Sequence, residues 1–430
     1  MQDRDARRAN GSAGREPAER ESCPLPSIQL VFLALAHAAV DFFLNVLPPV
    51  MPFFVRELGF SVTAVAALAT AKSAGSGLLQ PVFGAMVDRS RRTALLPASV
   101  AVCGLFAALL GVMPSYWLLL AAALLCGLAG AVFHPLATVS VRALMGRYSA
   151  GAMSVFGVGG TIGMALVPLT VAGLVGALGL RGMLWLLVPA FGVAAVLALR
   201  GFHKLDLTRP AVDSFGMAVE RDQAGERAGA PARNAAASPS ALKPLAYLAA
   251  TTLVRTVGQV AFSNFLPLYY VSKGFSEGYG SVMLTVYMVA GSVSAMAFGY
   301  LSDRWGRKPV VALSSVLATP ALVGFLLTDG PLQTALLVAA SLFLFATFSV
   351  APVYAQELVP DRAAMGAGLM MGGVWSVAAF LLIPLGALAD AYDVQTALLA
   401  GALLPAAATV FLVPVPETHA AREPVRGRSA

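Results

Sequence analysis

"GYLSDRWGRK", residues 299–308, closes one apolar stretch of this 430-residue chain and opens the next. A weaker copy, "GAMVDRSRR" at residues 84–92, does the same earlier in the chain. Each copy places a glycine, then an aspartate one helical turn on, then a cluster of basic residues. Both lie between segments that carry almost no charge. The copies fall at matching depth in two halves, between the second and third apolar segment of each. A duplicated charged turn in such a setting marks one water–membrane boundary, visited twice.

The composition agrees: 58% of residues are hydrophobic and 12% charged, with a mean hydropathy of +0.77. Soluble domains carry about a quarter charged residues. Segments long enough to cross about 30 Å of hydrocarbon recur near 28–55, 61–87, 94–113, 116–141, 149–177 and 181–200. After a break come 242–271, 279–301, 309–328, 332–356, 363–388 and 394–414. Twelve spans return both termini to the same side. The run from Ile28 is too long for a signal-peptide core and has no small-residue cleavage site, so it reads as an uncleaved first span.

Most of the 29 basic residues fall on one side of this arrangement, in the two charged turns, the tails and the segment from Arg200 to Lys243. The other side holds Arg56, Arg181 and Lys273. Basic residues accumulate in cytoplasmic loops, so both termini are expected in the cytoplasm. The net charge of +7 is therefore a topology signal. The lipid bilayer is the expected partner, and nucleic acid is not.

The expected fold class is an all-α membrane protein of twelve transmembrane helices in two six-helix bundles. A cytoplasmic tail (1–27) precedes the N-terminal bundle (28–201). A polar linker (202–241), with "DQAGERAGAPARNAAASPS", leads to the C-terminal bundle (242–414) and a second tail (415–430). Parallel repeats of this kind imply alternating access, with a substrate path between two rocking bundles.

Ionisable residues inside the spans point to the chemistry, because a midplane charge costs on the order of 2.5–3.5 kcal/mol and normally faces a cavity or partner. His37 lies about ten residues into span 1, roughly 15 Å at about 1.5 Å per residue, near the middle of the bilayer. Asp41 and Asn45 follow at steps of four on the same helix face. His37 and Asp41 can partner each other and titrate as one coupled unit, so the pair is the candidate for proton coupling. Lys72 in span 2 and Arg255 in span 7 are too deep to snorkel to either interface. With Asn45 and His134, which precedes Pro135 in span 4, they are the candidate substrate-binding residues. A guanidinium there would clamp a carboxylate or phosphonate, although an ion pair with Asp41 that holds the halves together would also account for Arg255. One acid against two fixed cations favours an anionic or chelating solute over a lipophilic cation.

The two charged turns form the candidate cytoplasmic gate: Gly84, Asp88, Arg89 and Arg92 in the first, Gly299, Asp303, Arg304, Gly306, Arg307 and Lys308 in the second. The glycines let one helix end approach its neighbour. The aspartates stand where a neighbouring helix N-terminus would donate to them. Arg142, Glu357 and Arg362 lie at the same membrane face and join the gate, with Glu357 expected to pair with Arg362 or the turn.

With these residues in view, the chain resembles the major facilitator superfamily, whose turn signature Gly-x-x-x-Asp-Arg-x-Gly-Arg-Lys is matched at every fixed position by Gly299 to Lys308. In the first copy Arg91 replaces the second glycine. "AHAAVDFFLNVLPPVMPF", "LLQPVFGAMVD", "GAVFHP", "SVFGVGG" and "VYAQELVPDR" further resemble the fosmidomycin-resistance proteins, a branch of proton-driven exporters of small anionic or hydroxamate-bearing molecules. The resemblance implies the major facilitator fold and efflux across a bacterial inner membrane.

Export of a siderophore or other metallophore, and proton-symport uptake of an anionic metabolite, suit the same cationic cavity. A non-transporting receptor is a distant alternative, since the tails and linker are too short for a signalling domain. The aqueous segments show no P-loop, HExxH, cysteine cluster or Ser-His-Asp arrangement, so neither an enzyme nor ATP-driven transport is expected. "GVGGTIG" (157–163) lies within an apolar span and reads as helix packing, not a nucleotide loop. Cys23, Cys103 and Cys126 have neither metal nor disulfide spacing. No metal and no cofactor beyond a proton gradient is expected, and the protein is expected to act as a monomer.

Overall fold

The computed structural model describes residues 27–90, 93–145, 149–205 and 239–418, which are helices joined by short turns. Among the described residues eleven helical segments are long and apolar enough to cross a membrane. Leu95–Leu109 is a shorter apolar helix of 15 residues in the place of span 3. The spans keep the order expected from the sequence, and most ends fall within a few residues of it.

Spans 1, 2 and 11 are broken, each for a local reason. Span 1 consists of Ile28–Leu44 and Leu47–Leu58. Pro48 and Pro49 cannot donate backbone N–H groups, so the ladder lapses just before them. Span 2 consists of Val62–Leu78 and Gln80–Ser90, with the interruption two residues ahead of Pro81. Span 11 runs through Ala363–Gly368, a π-helical turn at Leu369–Gly373, Val374–Phe380 and Leu382–Ala391. A π turn at this glycine-rich stretch lets the helix bulge without losing its hydrogen bonds.

The charged turn at 299–308 is mostly helix. Span 8 (Glu277–Trp305) and span 9 (Arg307–Leu327) meet at the single residue Gly306, whose φ of +98° a side chain would oppose. That is why span 8 extends past its expected end at 301.

Span 1 packs against span 5 (Ser149–Leu178) and span 4 (Tyr116–Met145), and span 2 packs against span 4. In the second half span 7 (Pro239–Ser272) lies along span 12 (Val394–Leu412), and span 10 (Gly330–Leu358) lies along spans 8 and 9. The halves meet where span 2 crosses span 11, where span 5 meets span 8, and where Leu47–Leu58 of span 1 touches span 7. Large apolar side chains face outward, with Leu199 86%, Met296 78% and Trp117 74% exposed. Only a hydrocarbon solvent makes such a surface favourable. Cys103 and Cys126 meet in the first half with their sulfurs 3.7 Å apart and remain free thiols.

The span 2–span 11 crossing is closed at one end and apart at the other. At the end away from the charged turns, Asp390 accepts hydrogen bonds from the Val62 and Thr63 backbone N–H groups and from the Thr63 hydroxyl. Further along, the Thr70 hydroxyl donates to the Ala379 carbonyl at 2.6 Å. Near mid-span the Ser376 hydroxyl donates to Ser73 at 3.3 Å. The contact continues through Gly77 and Gln80 against Gly372, and further along a Cβ placed on Gly84 would meet nothing within 4 Å. Arg56 of span 1 also pairs with Glu277 of span 8 at the closed end.

Candidate functional site

Span 1 carries His37 and Asp41 on the face turned toward spans 4 and 5. The His37 Nε2 lies 3.2 Å from one Asp41 oxygen, and the His134 Nε2 of span 4 lies 3.6 Å from the other. Two imidazoles thus flank one carboxylate, their rings 5.5 Å apart and nearly perpendicular. The site is recessed but reachable: the side chains of His37 and Asp41 are 13% and 15% exposed.

Span 5 fixes the orientation of His37. The Nδ1–H donates to the Phe156 carbonyl at 2.7 Å, and the ring stacks on the Phe156 ring at 4.0 Å. With Nδ1 committed as a donor, a neutral imidazole would aim its Nε2 lone pair at a carboxylate. The 3.2 Å contact therefore holds a proton, either on the imidazole or on the acid. Span 5 comes this close because of Gly160, where an added Cβ would fall on the Asp41 carboxylate and the His37 ring. Gly159 and Gly163 similarly abut the Ala34 and Ala38 carbonyls of span 1. The glycine run of this span is helix packing, as its sequence suggests, and one of its members shapes the site.

His37, Asp41 and His134 bring donor atoms within 4.8 Å of one another, the kind of set a divalent cation takes. Ligands on a tetrahedral cation at about 2.0–2.1 Å sit roughly 3.3 Å apart. The observed spread would have to close by more than an ångström to grip a metal, whereas a proton fits the existing 3.2 Å contact.

The other sequence candidates divide. Lys72 lies within electrostatic range of Asp41 and belongs to this neighbourhood. Asn45 does not turn into the cavity by its amide nitrogen: its Nδ2 donates to the Asp41 backbone carbonyl at 2.7 Å. Its own backbone N–H tightens onto Phe42, so the side chain takes the carbonyl freed where span 1 breaks.

Arg255 is 1% exposed and sits apart from the cluster, inside the second half. It donates to the Leu344 carbonyl at 2.8 Å, to the Phe343 carbonyl and to the Thr347 hydroxyl, so no ion pair with Asp41 forms.

The gate residues also depart from expectation. Gly84 makes no close approach, since an added Cβ there would meet nothing within 4 Å. Gly299 does approach a neighbour, Ser349 of span 10, with 3.3 Å between an added Cβ and its hydroxyl. Asp303 is held by Arg307 of its own turn at 2.5 Å, not by a helix N-terminus. The residue that takes the span 9 N-terminus is Glu417, which accepts from the Arg307 and Lys308 N–H groups at 3.0 and 2.9 Å.

Arg307 also pairs with Glu357 at 3.1 Å, the partnership with the turn that the sequence allows. The Lys308 ammonium donates to the Val413 carbonyl at the end of span 12. Arg304 lies over the Tyr300 ring. Arg142 is exposed, and Arg362 follows span 10 in a short 3₁₀ turn. Arg92 and the linker from 206 to 238 lie outside the described residues, as do the side chains of Asp88 and Arg89.

Sequence reasoning missed Phe156, Gly160, Asp390 and Glu417 as working parts. "SVFGVGG" contains the first two, and a small residue beside an aromatic facing a titratable pair was the available signal. Asp390 and Glu417 act across turns far apart in the chain, which spacing does not reveal.

The chain is 29% identical over 397 residues to YfnC of Bacillus subtilis (strain 168), described as an uncharacterized MFS-type transporter, covering 90% of this chain and 92% of that one. It is 24% identical to the fosmidomycin resistance protein of Escherichia coli (strain K12), covering 88% and 91%. Among solved structures it resembles a bacterial homolog to the human lysosomal transporter Spinster, in an inward-facing and occupied conformation. That match has a TM-score of 0.67 at 15% identity over 89% of this chain and 95% of that one, and speaks to the fold. The Major Facilitator Superfamily model matches residues 33–382. With its duplicated charged turn, its helical spans and this match across most of its length, the chain belongs to the Major Facilitator Superfamily of membrane transporters.

Proposed function

We propose that the protein is a proton-coupled exporter of small anionic or hydroxamate-bearing solutes, resident in a bacterial inner membrane with both termini in the cytoplasm. The observation that carries the proton half is the fixed tautomer of His37. Its Nδ1–H is spent on Phe156, so the Nε2–Asp41 contact is a place where one proton is held and can be exchanged. His134 at the second carboxylate oxygen shares that proton as the site is loaded and emptied. Protonation removes the charge of Asp41 and lowers the cost of enclosing the site while the halves rock.

The anionic preference is supported by the cations set within the spans, Lys72 near Asp41 and the buried Arg255 in the other half. Similarity to the fosmidomycin resistance protein favours export of phosphonates and hydroxamates over uptake. In this orientation the present conformation is closed toward the outside by Asp390 and Arg56, and span 2 stands away from span 11 toward the cytoplasm. A solute would enter from the cytoplasm as the proton leaves, and the exchange would reverse on the outer side.

The test is solute-induced proton flux in proteoliposomes, comparing wild type with Asp41→Asn. Coupled flux is expected to vanish in the variant while the protein stays folded; undiminished flux would remove Asp41 from the mechanism. Transport of cationic dyes with no response to phosphonates or carboxylates would overturn the anionic preference.

A further inference from the structure

The second half contains a buried positive charge with no negative partner. Arg255 contacts only neutral acceptors: two carbonyls, the Thr347 hydroxyl and, at 3.5 Å, the Ser314 hydroxyl. Its Nε has no hydrogen-bond partner, and no carboxylate pairs with it among the described residues. A guanidinium enclosed in this way is costly unless a counter-charge arrives.

A cavity of about 10 Å³, room for roughly one oxygen-sized atom, lies beside it. Thr252, Thr256 and Gln259 recur at helical spacing along span 7 and form one wall, Thr347 of span 10 another, and Trp375 of span 11 a third. Gln259 is 2% exposed, and its Nε2 is a buried donor without a partner. Thr347 is shared between the two features. Its oxygen accepts from Arg255, which leaves its own O–H proton free to donate into the cavity. The cavity therefore presents at least two hydrogen-bond donors with a full positive charge one hydrogen bond behind them. An uncharged ligand would satisfy the donors and leave the guanidinium uncompensated; an oxyanion would satisfy both.

We infer that this cavity is the anion subsite of the transporter, separate from the proton site in the first half. It takes a carboxylate, phosphonate or hydroxamate oxygen on the Gln259 amide and the Thr347 hydroxyl, with Arg255 neutralising the charge from behind. The inference rests on the anionic reading above and adds where the anion sits and which residues read it. A division of this kind gives each half one charged species, a proton at His37–Asp41–His134 and an oxyanion at Gln259–Thr347. Their exchange then reports on both halves at once.

Equilibrium binding to the purified full-length protein tests this, using a three-carbon phosphonate, the matching carboxylate and the matching neutral amide as probes. Gln259→Leu and Thr347→Val are each expected to weaken phosphonate and carboxylate binding about tenfold or more, the loss of a donor to a charged acceptor. Amide binding, weak from the outset, should change little. If the wild type binds the anions and both single variants bind them equally well, the subsite is wrong and the anionic reading stands. If the wild type binds no anion but takes up a cationic dye, both fail. Circular dichroism and size-exclusion profiles matching wild type establish that the Gln259 and Thr347 variants are folded.

Discussion

Asp390, in the last turn of span 11, caps the first turn of span 2 across the boundary between the halves: its carboxylate lies 2.7 Å from the Val62 nitrogen and 2.9 Å from the Thr63 nitrogen. The first N–H groups of a helix have no partner within it, and the partial positive charge there favours an anion. The contact therefore both satisfies span 2 and ties it to the other half. Removing the carboxylate should loosen this end by about 1–3 kcal/mol, the range for charged hydrogen bonds, and populate conformations in which it opens. Spin labels at Glu57 and Tyr392, both exposed at this end, should report a broader and longer distance distribution in Asp390→Ala. An unchanged distribution would show that the cap is not a latch. Arg56→Ala should do far less, since the Arg56 side chain is 53% exposed and surface pairs contribute little.

Gly160 sets how closely span 5 can approach the proton site. A methyl group there collides with the Asp41 carboxylate and the His37 ring, so the spans must separate or the pair must rearrange. Gly160→Ala is expected to cut solute-coupled proton flux about tenfold or more, because a displacement on the order of 1 Å at a reacting pair is enough for such losses. Gly157→Ala is the control, since an added Cβ there meets nothing within 4 Å. Equal flux in the two variants would separate span 5 packing from proton transfer.

The two nitrogens of His37 have different partners, and two substitutions separate them. Asparagine places a donor near the position of Nδ1 and can keep the Phe156 bond, while glutamine reaches toward Nε2 and can keep the Asp41 contact. Neither takes up or releases a proton near neutral pH. His37→Asn and His37→Gln should therefore both lose coupled flux yet keep solute counterflow, which needs no net proton movement. Coupling that survives in His37→Gln would reassign the proton to Asp41 and His134 alone.

How much of this was legible beforehand follows from the forces involved. Bilayer thickness fixes the length of an apolar run, so the spans could be read from hydropathy. The His37–Asp41 pair could be read because both residues sit on one helix, four apart. That His134 joins them depends on how spans 1 and 4 pack, and no spacing encodes it. The partner of Asn45 was not legible, because its amide takes the Asp41 carbonyl left free when its own N–H turns to Phe42 at the break in span 1. Arg255 was recognisable as a buried cation, but its carbonyl partners on span 10 were not. The gate was not legible for a different reason: which end of a rocking pair is shut belongs to the conformation, and here the end held shut is the one at Asp390.

Glu417 offers the last test, because it replaces Asp303 in the role the sequence suggested. It receives both N–H groups that open span 9, and the Thr418 hydroxyl beside it donates to Glu357, which also holds Arg307. Asp303 contributes one bond to that same arginine and is 61% exposed. Glu417→Ala should therefore destabilise the second half by roughly 0.5–2 kcal/mol, as loss of a helix cap does, and lower the thermal unfolding midpoint. Asp303→Ala should cost less, because Arg307 keeps Glu357. A larger loss for Asp303→Ala would mean that its charge acts in a conformation other than this one, with the loop end of span 2 drawn back against span 11.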